Sequence, residues 1–205
     1  MTDLRNFRRP FQIVRAGLPA YLAMNAVAYG FFLVGMAMTL LFPDLQEVRF
    51  DPLQSAESTE STVEAVSASF WTFAGAILVI NVVATALLQI VLPSLIVPFL
   101  GIVIFAVRAF GFGVTLAPVN DAVARILVPH SVTLLIELQA YVLVMLGAYL
   151  VGKFWLRPST AGVSTRRQGY HHGLRQLGWL SVPAIALFIV GALYEAYEIL
   201  YLIEA

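Results

Sequence analysis

The sequence predicts an all-α fold: a polytopic membrane bundle of five transmembrane helices with its N-terminus in the cytoplasm. Three observations carry this expectation. Sixty per cent of the residues are hydrophobic and only 12% are charged, against roughly 25% charged residues in a soluble domain. Uncharged apolar runs recur at close to the ~20 residues that cross a ~30 Å hydrocarbon core at 1.5 Å per residue. The net charge is zero, yet the two signs are segregated along the chain.

Residues 1–17 form a basic amphipathic segment in which Arg5, Arg8, Arg9 and Arg15 alternate with Phe7, Phe11, Ile13 and Val14. Arginines at anionic headgroups with apolar side chains dipping inward suit a membrane surface, and the same charges orient the first crossing. Residues 18–205 form a single transmembrane domain. Its first helix spans 18–42, ends at Pro43 and is rich in alanine and glycine, which lets a neighbour approach closely. Residues 43–67 then set Asp44, Glu47, Asp51, Glu57, Glu60 and Glu64 against Arg49 alone, in a serine- and threonine-rich outer loop whose spacing matches no cation-binding loop.

The next apolar run is too long for one crossing. Pro93 and Pro98 interrupt it, and proline lacks the N–H a helix needs. Helices are therefore expected at 69–92 and 98–117, around an apolar junction. A short amphipathic connection at 118–130, a helix at 131–155, a basic cytoplasmic loop at 153–175 and a last helix at 177–202 complete the chain. Basic residues, Arg157, Arg166 and Arg167 among them, collect in 153–175 as they do in 1–17. The positive-inside rule places both segments in the cytoplasm, and five crossings satisfy it. No short apolar core with a small-residue cleavage site is seen at the start, so no removable signal peptide is expected.

Ionisable residues inside such helices need a partner or a purpose, since each costs at least ~2.5–3.5 kcal/mol on insertion scales. Arg108, Glu137 and Glu195 fall at similar depths on three helices, about 13, 9 and 10 Å from the outer ends. They are expected to form one buried charge cluster, Arg108 pairing with Glu137, Glu195 or both. Glu198 is expected nearer the surface and in reach of water, beside Tyr194, Tyr197 and Tyr201 as an interfacial belt. His130 lies seven residues before Glu137, two turns along one face. Asn25, Asn81, Gln89 and Gln139 are candidates for hydrogen bonds between helices.

Motifs for chemistry are missing. The sequence has no cysteine, no HExxH, no G-x-S-x-G and no phosphate-binding loop. His171 and His172 have no acidic or cysteine partner nearby for zinc. Catalytic residues, metal and cofactors are not expected. The basic segments point to membrane lipid rather than nucleic acid.

The segment PHSVTLLIELQAYVLVMLGAYLVG resembles the most characteristic stretch of the stage II sporulation protein M family, integral membrane proteins of bacteria and archaea. Pro129, His130, Glu137, Leu138, Gly147 and Gly152 carry the likeness. Asn81 before a proline-interrupted run to Gly111 and Gly113, and the C-terminal ALYEAYE with Glu195 and Glu198, are similar as well. Ser131 stands where the family usually has glycine, so the chain resembles a divergent member. The resemblance implies a multi-pass protein of the prokaryotic inner (plasma) membrane, an anchor or accessory subunit for envelope partners. The expected function is a non-catalytic scaffold assembling with other membrane subunits or with copies of itself. The alternatives are a permease or channel subunit paired with a separate ATPase and, last, an intramembrane enzyme built on His130 and Glu137.

Overall fold

The computed structural model describes residues 8–47 and 69–203, and every regular element among them is helical. The helices are α1 (Arg9–Ala16), α2 (Leu18–Leu41), α3 (Phe70–Ile96), α4 (Leu100–Thr115), α5 (Asp121–Leu156) and α6 (Arg166–Glu198). Four of them, α2, α3, α5 and α6, are long and apolar enough to cross a membrane. The fifth apolar helix, α4, has 16 residues, about 24 Å at 1.5 Å per residue.

Local chemistry sets the starts. Pro10 and Pro19 occupy the first turns of α1 and α2, where a missing N–H costs nothing. The Asn120 side chain accepts from the Val123 N–H at 2.9 Å and begins α5. Thr165 and Gln168 form a reciprocal capping box at the head of α6. The middle of α3, Ile80–Val91, winds as a π-helix. Pro93 lacks an N–H and would clash with the carbonyl four residues earlier, and the widened ladder before it accommodates that clash.

Helix boundaries depart from the sequence expectations in three places. The second helix runs past Pro93 to Ile96 instead of ending at 92, because Pro93 sits in the first turn of its last segment. Residues 121–130 are not a connection but the first turns of α5, with Pro129 inside the helix. The basic segment expected as a loop over 153–175 is mostly helical: the link is only 157–165, and α6 starts at Arg166, eleven residues before the apolar run. Polar first turns hid the start of α6, and amphipathic first turns followed by Pro129 hid that of α5. Between α3 and α4 the chain reverses through Phe99, whose φ of 70° is left-handed, and the Ser94 hydroxyl accepts from the Gly101 N–H at 3.0 Å.

Helix α5 is the centre of the bundle: 61% of its most apolar window is buried, against 22–33% for α2, α3 and α6. It pairs along its length with α6, and α2 pairs with α4. Backbones approach closely in both pairs. A Cβ at Gly113 would strike the Phe32 carbonyl, one at Gly35 the Phe110 carbonyl, and one at Gly173 the Val151 backbone. The outer faces stay apolar and exposed, as at Leu33, Val103 and Val182, as suits contact with lipid.

Candidate functional site

Tyr141 sits at the middle of α5, fully buried and pinned between Phe105 of α4 and Phe188 of α6, with ring centroids 4.7 and 4.8 Å away. Its hydroxyl donates to Asn81 Oδ1 at 2.8 Å. Asn81, in the second position of the π-helical stretch, in turn donates through Nδ2 to Glu137. Glu137 lies one turn before Tyr141 on the same face of α5. Across the interface, Glu195 of α6 is within hydrogen-bonding reach of Glu137. Two carboxyls bond to each other only through a shared proton.

Arg108 of α4 completes the ring of helices. Its guanidinium lies 5.0 Å over the Phe112 ring, and its charge acts on Glu137 and Tyr141. Arg108, Asn81, His130, Glu137, Tyr141 and Glu195 all line one cavity of about 250 Å³, together with Ile77, Ile80, Leu134 and Leu138. The three charged residues singled out in the sequence thus converge from α4, α5 and α6. Because α5 begins at Asp121, Glu137 lies about 24 Å from the helix start rather than 9 Å.

The placement of Glu198 corrects the sequence reading. It does not reach water: it is 0% exposed. One carboxyl oxygen lies 3.1 Å from His130 Nδ1, and the other accepts from Thr133 Oγ1 at 2.8 Å. His130 is likewise not at a helix start but within α5, directly after Pro129, with its side chain turned to α6. The trio is His–carboxyl–Thr: the hydroxyl bonds the carboxyl and not the imidazole, which is not the nucleophile–base–acid order of a hydrolytic triad.

Thr133 and Tyr141 were not singled out from the sequence. The available signal was spacing, since Thr133 follows His130 by three residues and Tyr141 follows Glu137 by four, both same-face intervals on a helix. Apolar neighbours disguised them as ordinary core.

A separate uncharged clasp ties α2 to α5. Gln139 donates to Asn25 Oδ1 and to the Tyr29 hydroxyl, each at 2.8 Å, and accepts from the Tyr21 hydroxyl at 2.8 Å. Asn25 and Gln139 therefore join helices as the sequence suggested, as does Asn81 in the cavity.

At the opposite end of the bundle, Arg8, Arg15, Arg157, Arg166 and Arg167 are exposed, whereas Arg9 folds 5.2 Å over the Trp179 ring. Arg5 and most of the acidic loop, from Asp51 to Glu64, lie outside the described residues. Among the described residues no group of three or more His, Asp or Glu side chains could hold a metal ion. Comparison with known families, curated proteins and solved structures finds no match to this chain.

Proposed function

We propose that this chain is a non-enzymatic, five-crossing subunit of a prokaryotic plasma membrane that exchanges protons through its buried carboxyl cluster, as a permease or channel component. Its N-terminus and the 157–165 link face the cytoplasm. One observation carries the reading. Three carboxyls (Glu137, Glu195 and Glu198) meet one guanidinium and one imidazole on or beside a cavity inside the helices. A fixed Arg–Glu pair would be neutral and inert. This set instead has one acid more than its bases can match even with the imidazole charged, and in a low-dielectric interior the excess must be met by bound protons. The π-helical stretch on which Asn81 sits agrees with the reading, because such departures gather at functional sites.

The test is reconstitution of the purified chain in liposomes holding a pH-sensitive dye, with an imposed potassium diffusion potential. Proton flux above that of protein-free liposomes is expected, falling at least tenfold in Glu137→Gln and in Glu198→Gln. Flux that is absent in the native chain, or unchanged in both variants, overturns the reading.

The second reading is the accessory subunit implied by the likeness to the sporulation protein M family. The clasp of Tyr21, Asn25, Tyr29 and Gln139 favours it, because a bundle locked by polar bonds and apolar outside makes a rigid platform for other subunits. Purification in mild detergent followed by native mass measurement separates the two. Stoichiometric partners without flux select the scaffold, and an ATPase among them selects a driven transporter.

A further inference from the structure

The bundle carries a second cavity, far from the first and opposite in charge. It has a volume of about 600 Å³ and opens where α1, the end of α5 and the first turns of α6 meet. Arg9, Lys153, His172 and Arg175 line it, and no carboxylate does among the described residues. Lys153 follows His130 by 23 positions on α5, so the two cavities are separated by about 35 Å of helix.

The level of this cavity follows from α6. The membrane-length helix Arg166–Leu202 has 37 residues, about 55 Å, much longer than a ~30 Å hydrocarbon core. Its polar turns, Arg166 to Gln176, must therefore project beyond the apolar stretch that begins at Leu177. The cavity straddles that border. Its cations lie on the polar side, and Trp179 and Ile13 form its apolar floor. Arg9 is held there by its stack on Trp179, and Lys153 lies 5.9 Å over the Phe154 ring, so two of the three Lys and Arg side chains are positioned by aromatic faces. Helix α1, amphipathic and with Pro10 in its first turn, forms one wall of the cavity through Arg9, Gln12, Ile13 and Ala16.

We propose that this cavity binds the phosphate headgroup of an anionic phospholipid. The glycerol phosphate sits among Arg9, Lys153, His172 and Arg175, and the acyl chains descend past Trp179 along the bundle. A phosphate diester offers the acceptor oxygens that the Arg and Lys donors lining the cavity require. The apolar floor distinguishes this site from one for a soluble anion, because a free phosphate has nothing to bury against Trp179 and Ile13. The site is independent of any proton path at the other end.

Delipidated protein in detergent is titrated with dioleoyl phosphatidylglycerol and followed by native mass spectrometry. Dioleoyl phosphatidylcholine and inorganic phosphate are separate arms. One phosphatidylglycerol per chain is expected to bind at least tenfold more tightly than phosphatidylcholine. Arg175→Ala and Lys153→Ala should each weaken it at least tenfold, while Arg166→Ala, exposed and outside the cavity, leaves it unchanged. Arg175→Lys should retain most of the affinity, and it carries the test should the alanine variant fail to fold. Equal weakening by Arg166→Ala would reduce the effect to diffuse surface charge and overturn the proposal. So would equal binding of phosphatidylcholine, or inorganic phosphate binding as tightly as the lipid.

Discussion

The residues that matter most here are those an apolar environment makes costly. Buried polar side chains in and beside the first cavity bond one another: Tyr141 bonds Asn81, Asn81 bonds Glu137, and Glu198 bonds His130 and Thr133. The ionisable members were legible in the sequence because charge inside an apolar run is conspicuous. Their partners were not, since Thr133 and Tyr141 look like core residues until a second helix is laid against them. The charge set leads to a prediction at this scale. Arg108→Leu removes the one guanidinium from a cluster of carboxyls and should destabilise the folded protein by about 3–5 kcal/mol, whereas Glu137→Leu leaves two acids to two bases and should cost less. The double variant should lose less than the worse single one, as read from thermal unfolding in detergent. A double variant as damaged as the worse single one would argue against direct coupling of the two. Glu198 teaches the complementary lesson. Its nearness to the outer end of the last helix suggested exposure, but depth in a bundle is set by what packs alongside, and the early turns of α5 cover it.

At the scale of elements, the four long helices and α4 follow from apolar length, and their errors of boundary share one cause. Thr165 begins a helix whose first turns are polar and Asn120 one whose first turns are amphipathic, so the uninterrupted apolar runs start ten or more residues late. The cap chemistry was present in the sequence: Asn-Asp at the head of α5, and Thr-x-x-Gln at the head of α6. Proline misled in the other direction. Pro93 and Pro129 lie inside helices, where a π-helical stretch and neighbouring helices absorb the lost hydrogen bond. The glycines make the pairing testable. Gly113→Ala drives a methyl against the Phe32 carbonyl, and such overpacking should cost about 1–3 kcal/mol. Gly30→Ala meets nothing within 4 Å and should be neutral, or stabilising by up to about 1 kcal/mol. Thermal unfolding of the two variants side by side checks this, and equal effects would mean that α2 and α4 do not pack through these glycines.

For the whole molecule the open quantity is orientation, and the absence of native cysteine makes it directly measurable. Ser159→Cys, in the short link before α6, should react with an impermeant maleimide only after the cells are opened. Asn120→Cys, at the head of α5, should react from outside in intact cells. The reverse pattern would invert α5 in the membrane, and labelling of both from one side would remove the crossing assigned to α5. Composition and patterning by themselves determined that the chain is helical, apolar enough to span a membrane repeatedly, and marked by a handful of ionisable residues where none is expected. Those are properties of single segments, set by side-chain transfer energies and by helix rise. Tertiary structure alone decided that α5 is central, that His130 faces Glu198 while Glu137 faces Asn81 and Glu195, and that Arg9 of α1 stacks on Trp179 of the adjacent α6 to complete a basic cavity. These are relations between helices, fixed by the angle and register at which glycine-lined surfaces close on one another, and no single segment carries that information.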